Sequence, residues 1–324
     1  MDYQFNEDQA ALVSAVQAIL ADHSEIPQSA RLSYSYYDAD LQRQLVAGGF
    51  LDAGRVLGAL EAALVVIECA RSPKVVETGA SALVLPQVLG DEPLEGAVAL
   101  ISLGDLAKAH RNLPIARTAL VDLGEEVAIV SVHPGDVEEV DSILAYPYGK
   151  FRTLPNLETC RRIKGGSKMR QWWRVALACE CAGAAQSAVA FTVDYVKERH
   201  AFGKPIGAFQ AVQHRLAQCH QIALGIYHLA LRAAWSKSAQ DADLAACYAQ
   251  QNIQKLVFDL HQFNGAMGVT NEHLLHFWTY RLRALQGEVG GLYDAALAIS
   301  GHVFGAVDDQ DQHPTVGKDF AIED

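Results

Sequence analysis

The stretch Arg199-His-Ala-Phe-Gly-Lys-Pro-Ile-Gly-Ala-Phe-Gln-Ala-Val-Gln-His-Arg-Leu-Ala217 decides how this chain is interpreted, because it joins two long helix-forming segments through a glycine-containing reversal. The preceding segment, 171–199, is almost uninterrupted, and the segment 208–236 follows. Apolar side chains recur at helical spacing in both. Small residues crowd positions 182–190, and they permit a neighbouring helix to approach closely. We therefore expect two long helices joined by a short loop.

The remaining sequence predicts further helices on both sides of a short β region. Apolar periodicity predicts helices at 7–22, 38–47, 54–71, 73–90, 241–263 and 292–304. Asn6 is the expected N-cap of the first helix, and Pro86 should kink or end the helix at 73–90. Short apolar runs separated by charged and Gly/Pro-bearing loops predict strands at 97–102, 118–122 and 127–132. The fold class is therefore mainly α with a small β domain.

Composition excludes several kinds of function. The formal net charge of -12 argues against a nucleic-acid binder, which needs a basic face. The local basic cluster at 161–170 is interpreted as a solvated loop. The N-terminus lacks the features of a signal peptide, and the uncharged run 216–231 is too short to span a bilayer. The six cysteines lack zinc-site spacing, so we expect free thiols, no metal site and a cytoplasmic location.

Two motifs carry candidate binding residues. Arg199 ends one long helix and can fork onto a phosphate, while Phe202 supplies an apolar surface and Gly203 permits the reversal. Gln210 lies in the first turn of the next helix, where free backbone N–H groups favour an anion. The second motif is Gln262-Phe-Asn-Gly-Ala-Met-Gly-Val-Thr-Asn-Glu272.

Both motifs resemble those of the flavin-dependent acyl-CoA dehydrogenase family. The resemblance implies an N-terminal helical domain at 1–93, a shortened middle β domain at 94–166, a C-terminal four-helix bundle at 167–307 and a polar tail at 308–324. It also implies that one group of residues holds the pyrophosphate and adenosine end of a neighbouring subunit's FAD, and another its adenine end. The first group is Arg199, Phe202 and Gln210, and the second is Gln262, Phe263, Gly265 and Ala266. Ala266 replaces the second glycine of the family pattern.

The chain departs from the family at the catalytic base. Counting from Tyr280-Arg281, Gly290 stands where the usual glutamate should be. Some members place the base early in the first long helix, and that position here is Trp173. Neither residue can accept a proton. Glu288 and Glu180 remain as displaced candidates, with Glu288 two residues out of register.

The middle domain also lacks the family's Thr-Glu-Pro-x-x-Gly-Ser-Asp-like run, which covers the isoalloxazine ring and the thioester. The corresponding region, 101–110, contains no match. We therefore expect this chain to lack a catalytic residue of its own and to be unable to form the isoalloxazine half of a flavin site.

The resemblance favours a non-catalytic, smaller subunit of a heteromeric acyl-CoA dehydrogenase of lipid metabolism. It implies an α2β2 heterotetramer whose larger subunit holds most of the acyl-CoA, and a substrate resembling the CoA thioesters of steroid side chains. FAD would be shared with that partner subunit. We expect no nucleic-acid partner and no association with a membrane. Two alternatives remain open: an active dehydrogenase with a displaced base, and a flavin-free scaffold subunit.

Overall fold

The computed structural model describes residues 4–305, so the predicted polar tail from 308 lies outside the described residues. The helices are α1 Glu7–Asp22, α2 Gln28–Arg31, α3 Ala39–Ala47, α4 Ala53–Val56, α5 Ala59–Arg71, α6 Leu85–Leu89, α7 Gly166–Glu198, α8 Gln210–Ser236, α9 Ala239–Asn264, α10 Leu275–Leu285 and α11 Gly291–Phe304. The strands are β1 Ala97–Ser102, β2 His110–Arg111, β3 Ala116–Asp122, β4 Glu126–Ser131, β5 Val137–Val140, β6 Tyr148–Phe151, β7 Arg161–Lys164, β8 His200–Ala201 and β9 Lys204–Pro205. The mainly helical fold class is confirmed.

Local capping explains where the first helices begin. The Asn6 side chain accepts a hydrogen bond from the Gln9 backbone N–H, and the Gln9 side chain accepts one from the Asn6 backbone N–H, so the predicted N-cap of α1 is a complete capping box. The Asp38 carboxylate accepts from two backbone N–H groups at the start of α3. Asp38 also binds the buried Lys74 ammonium at 2.7 Å.

The prediction of a helix over all of 73–90 is wrong, because this ion pair holds the start of the segment. Lys74 is held against Asp38, and the adjacent Val75 forms a parallel bridge with Tyr37, which keeps this segment extended. Helical structure begins only at a π-helical turn, Ala80–Val84, and continues as α6. Pro86, which was predicted to kink or end the helix, instead lies in the first turn of α6, where its missing N–H is tolerated. The helix continues to Leu89.

The β region consists of two small sheets. One has the order β1-β3-β4-β7, in which β1 runs parallel to β3 and the other pairs are antiparallel. The other has the order β2-β6-β5. The three predicted strands are present, but the expectation of a solvated loop at 161–164 was wrong. These residues form β7, and their arginines pair with Glu92 and Glu126.

The long helix α7 is the centre of the molecule. It contacts α5, α8, α9 and α10, and a Cβ placed on Gly183 would lie 2.2 Å from the Ile67 carbonyl oxygen, so only glycine permits the observed contact with α5. By length and composition α7 could cross a membrane, yet 78% of its most apolar window is buried in the protein, as in the core helix of a bundle.

Helix α10 was not predicted, because its buried residues are partly polar and do not form a continuous apolar face. It buries polar side chains, among them His276, Thr279 and Arg281, together with Phe277 and Leu282. The Arg281 guanidinium donates to several carbonyl oxygens after α5, including that of Ser72 at 2.5 Å. Arg281 therefore fastens α10 to the end of α5, and a buried arginine is compatible with the core because carbonyl groups accept its N–H donors.

Candidate functional site

A two-residue turn joins the strands β8 and β9 just after α7. Phe202 and Gly203 both have left-handed backbone conformations, with φ of +53° and +81°. Two successive positive φ values are typical of a tight hairpin turn. Phe202 is 94% exposed, which is unusual for an aromatic side chain and places it at the tip of the hairpin.

Cationic and aromatic groups surround this tip. The Phe202 ring contacts the Phe209 ring edge-on at a centroid distance of 6.2 Å, and the Lys204 ammonium lies 4.3 Å from the Phe209 centroid. Arg199 is exposed, and within residues 4–305 its guanidinium forms no ion pair. The predicted residues Arg199 and Phe202 thus lie on one short, solvent-exposed projection.

Helix α8 begins directly after this projection. Its N-cap position is Phe209, whose side chain cannot cap the helix, and no side-chain hydrogen bond caps it. Gln210, the third predicted residue of this motif, is the first residue of α8 and is exposed. A long helix with an uncapped, exposed N-terminus presents free N–H groups and the positive end of its dipole to solvent.

The second motif lies at the C-terminal end of α9, where that helix packs against α8. Gln262 is exposed, Phe263 is buried, and Gly265 ends the helix with φ +57°. Gly265 and the following Ala266 are both exposed. The guanidinium of Arg215 on α8 lies 5.0 Å from the Phe263 ring centroid, so the two motifs meet through this contact.

Arg215 was not among the predicted residues. Its carboxylate partner is Asp259, which is 44 positions away along the chain. No short sequence pattern links the two, and the only signal was that Arg215 falls inside the first motif.

The two expected positions of a catalytic base lie close together. Trp173 is buried, and its indole Nε1 donates to Glu288 Oε2 at 3.0 Å, two residues before Gly290. Gly290 has φ +77°, and a Cβ there would lie 1.7 Å from Asp294 Oδ2, so the local backbone is built for glycine. Arg174, the neighbour of Trp173, binds Asp243 at 2.5 Å.

A buried ion cluster occupies this place. Arg111 of β2 binds Glu180 of α7, with Nη1 2.9 Å from Oε2, and its Nε donates to Glu288 Oε1. The three side chains are only 9–15% exposed. The ring of Tyr146 lies 5.0 Å from the guanidinium carbon. We name Arg111, Glu180 and Glu288 the buried triad.

The electrostatics of the buried triad follow from its burial. Burial raises the pKa of Glu180, and the nearby Arg111 opposes this without cancelling it. Burial acts to lower the pKa of Arg111, but the two carboxylates outweigh it and hold the pKa well above its ordinary value. Both Glu288 oxygens accept hydrogen bonds, from Arg111 and from Trp173. The two displaced base candidates are therefore both engaged in contacts within the chain.

A cavity of about 280 Å³ lies beside the triad. Its lining includes Leu100, His110, Arg111, Tyr148, Trp173 and Glu288. Residues 101–110, where the family's flavin-covering run was not found, form the end of β1, a turn and the start of β2 along this cavity. The cavity is at the lower limit of the size usual for ligand pockets.

Comparison with known proteins supports the family resemblance of the sequence. Residues 168–290 match the family model described as "Acyl-CoA dehydrogenase, C-terminal domain". The chain is 24% identical over 243 residues to the acyl-CoA dehydrogenase IpdE2 of Mycolicibacterium smegmatis, covering 63% of this chain and 78% of the relative.

Solved structures share the fold over nearly the whole chain. The ChsE4–ChsE5 complex from Mycobacterium tuberculosis is similar with a TM-score of 0.72 and 18% identity, covering 91% of this chain and 97% of the other. The Tcur3481–Tcur3483 steroid ACAD is similar with a TM-score of 0.70 and 22% identity, covering 91% and 97%. Residues 168–290 therefore belong to the acyl-CoA dehydrogenase family by their match to its C-terminal domain, and the chain as a whole shares the fold of these solved structures.

Proposed function

We propose that this chain is the smaller, non-catalytic subunit of a heteromeric FAD-dependent acyl-CoA dehydrogenase. In this assembly a larger homologous subunit holds the catalytic base, the isoalloxazine ring and most of the acyl-CoA. The present chain completes the far end of that subunit's FAD site. When bound, the flavin supplies the hydride acceptor for oxidation of the acyl chain.

The buried triad is the observation that carries this proposal. A working base must reach a substrate proton, and it needs lone pairs that are free to accept that proton. Here the two base positions are Trp173 and Gly290, and the nearest carboxylates are bound to Arg111. Arg111 of β2 binds both Glu180 of α7 and Glu288. The carboxylates nearest to the two base positions are thus held by a cation of the chain itself.

The hairpin and the turn after α9 fit the other end of a dinucleotide. A pyrophosphate carries negative charge, and the surface offers the guanidinium of Arg199, which has no ion pair among the described residues, and the uncapped N-terminus of α8. An adenine ring needs flat apolar contact, which the exposed Phe202 ring can supply. These groups are exposed in the isolated chain, as expected if a second subunit brings the cofactor to them.

The substrate class and the assembly rest on the relatives. The structural relatives include two assemblies of paired chains, ChsE4–ChsE5 and Tcur3481–Tcur3483, and the second is described as a steroid ACAD. We extend this to a CoA thioester of a steroid side chain, to an α2β2 heterotetramer and to a cytoplasmic location. Loss of one catalytic pocket leaves room at the interface for a bulky polycyclic acyl group.

Co-expression tests the proposal. The chain is produced alone and together with a larger acyl-CoA dehydrogenase homologue encoded in the same genome, and flavin absorbance is measured per mole of protein after gel filtration. We expect a colourless lone chain and a yellow complex with about one FAD per heterodimer. A lone chain that retains one FAD per subunit would contradict the proposal.

The same samples separate the two alternatives. Glu288 lines the cavity, which is the one observation that favours an active enzyme with a displaced base. That alternative requires the lone chain to bind flavin and oxidise an acyl-CoA. A scaffold subunit would form the complex, but Arg199→Ala would leave its FAD affinity unchanged. Arg43→Ala is the matched control, because Arg43 is an exposed arginine on α3.

A further inference from the structure

Asp259 on α9 is a buried carboxylate shared by two cations. Its side chain is 4% exposed and binds Arg215 of α8 and, at 2.7 Å, the ammonium of Lys255. Burial alone would raise the pKa of Asp259, but the bonds from Lys255 and Arg215 outweigh it and leave the pKa lowered. Asp259 is therefore a fixed negative charge beneath two surface cations.

The two cations differ in what else they touch. Arg215 is 39% exposed, and its guanidinium lies against the Phe263 ring. Lys255 is 46% exposed and occupies the position one turn before Asp259 on the same helix. Two cations on one carboxylate leave one positive charge in excess at this surface, although the whole chain carries a formal charge of -12.

We propose that Arg215 is an additional contact for the adenosine-phosphate half of the partner-held FAD, and that Asp259 is a positioning residue which holds Arg215 over Phe263. This inference rests on the proposed function. A guanidinium stacked on an aromatic ring keeps its other face and its outward N–H groups available, so it can stack on adenine or fork onto a phosphate. Arg215 contacts Phe263 of the second group of predicted FAD contacts, and along α8 it follows Gln210 of the first group by about one and a half helical turns.

Titration of FAD into the deflavinated complex tests this inference by binding, independently of turnover. We expect Arg215→Gln to weaken FAD affinity roughly ten-fold, the scale of one hydrogen bond to a charged group. Arg215→Lys keeps the ion pair with Asp259 but not the planar stack, so it should recover only part of the affinity. Lys255→Gln is the matched control, and its affinity should stay within two-fold of wild type.

The role of Asp259 needs its own comparison. Asp259→Asn should weaken FAD affinity less than Arg215→Gln does, and it should have no further effect in the Arg215→Gln background. Asp259→Glu retains the carboxylate and should restore most of the affinity. If Asp259 has only a structural role, Asp259→Asn and Asp259→Glu should both lower the thermal midpoint of unfolding. Asp259→Asn should then also weaken FAD binding equally in the wild-type and Arg215→Gln backgrounds.

Arg199→Ala, measured in parallel, distinguishes the possible failures. If Arg199→Ala weakens FAD binding but Arg215→Gln stays within two-fold of wild type, the inference about Arg215 is wrong and the proposed function stands. If neither change alters the affinity, the cross-subunit FAD site itself is wrong. Gel filtration of each sample ensures that the compared complexes have the same stoichiometry.

Discussion

The buried triad and the hairpin at Phe202 differ in the solvent exposure of their side chains. In the triad, three charged side chains from distant segments are buried and form ion pairs with one another. At the hairpin, an aromatic ring is 94% exposed and a neighbouring arginine has no ion pair within residues 4–305. The charges of the triad are thus part of the protein interior, whereas the hairpin presents its aromatic ring and its guanidinium to solvent.

The energetic costs support this contrast. A buried charge is tolerated when opposite charges lie close to it, and Arg111 has a carboxylate on each side. A non-glycine residue with positive φ costs free energy, and such strain is found preferentially at functional sites. Phe202 bears this strain and is also exposed, so the isolated chain gains little from this conformation. A binding role at the hairpin would account for it.

Removing the cation of the triad should have the largest effect. Arg111→Met leaves Glu180 and Glu288 buried without their partner, and we expect a loss of about 3–5 kcal/mol in the free energy of unfolding. Replacing both glutamates by glutamine in the same variant should restore most of it, because no unpaired charge then remains. Urea unfolding of the full chain measures both. A loss below about 1 kcal/mol, the value usual for an exposed pair, would mean that the triad is not interior.

Removing the guanidinium at the hairpin tests the other side of the comparison. Arg199→Ala should reduce the FAD affinity of the complex roughly ten- to a hundred-fold, since a charge-assisted contact contributes about 1.5–3 kcal/mol. Excess FAD should restore turnover, and Arg199→Lys should recover part of the affinity. The stability of the chain itself should be unchanged. Equal FAD affinities for the variant and wild type would remove Arg199 from the site.

Acidic pH should lower the free energy of unfolding through two histidines near the C-terminal end of α9. Burial is the main cause that lowers the pKa of both His261 and His273, so the folded chain favours their neutral forms. The unfolded chain binds these protons near a pKa of about 6.5. Their contribution to stability is therefore complete above that pH and declines as the pH falls below it.

Thermal unfolding between neutral and acidic pH checks this prediction. Because carboxylates also respond to acid, the comparison is with a double variant, His261→Gln and His273→Gln. We expect the double variant to lose less stability on acidification than wild type does. Identical slopes would show that these two histidines do not couple to folding.

The smallest expected effect is the change in catalytic activity when either glutamate of the triad is replaced. Glu180→Gln and Glu288→Gln should each leave the activity of the complex within a few-fold of wild type, because neither occupies a family base position. Steady-state turnover with an acyl-CoA substrate measures this. A loss of about 10²-fold or more, the scale of removing a general base, would identify a displaced base and erase the contrast between the two regions.

Helix and strand prediction succeeded where burial follows one regular face. The apolar periodicity located α1, α8 and α9 to within a few residues, and capping located the start of α1. Apolar periodicity failed to predict the structure at 73–90, where the ion pair between Lys74 and Asp38 keeps the chain extended. It also failed at α10, because the buried face of that helix is partly polar. Short polar strands such as β7 also carried too little apolar signal to be distinguished from a loop.

The sequence by itself determined the family resemblance, the candidate cofactor residues and the absence of a glutamate at either base position. These follow from residue identities at short, countable spacings. Only the tertiary structure decided which side chains surround these two positions. Arg111 lies 69 positions from Glu180 and 177 from Glu288, and no local pattern links them. Their contact exists because the sheet packs on the helical bundle, and buried charges there are stable only when packing brings opposite charges together.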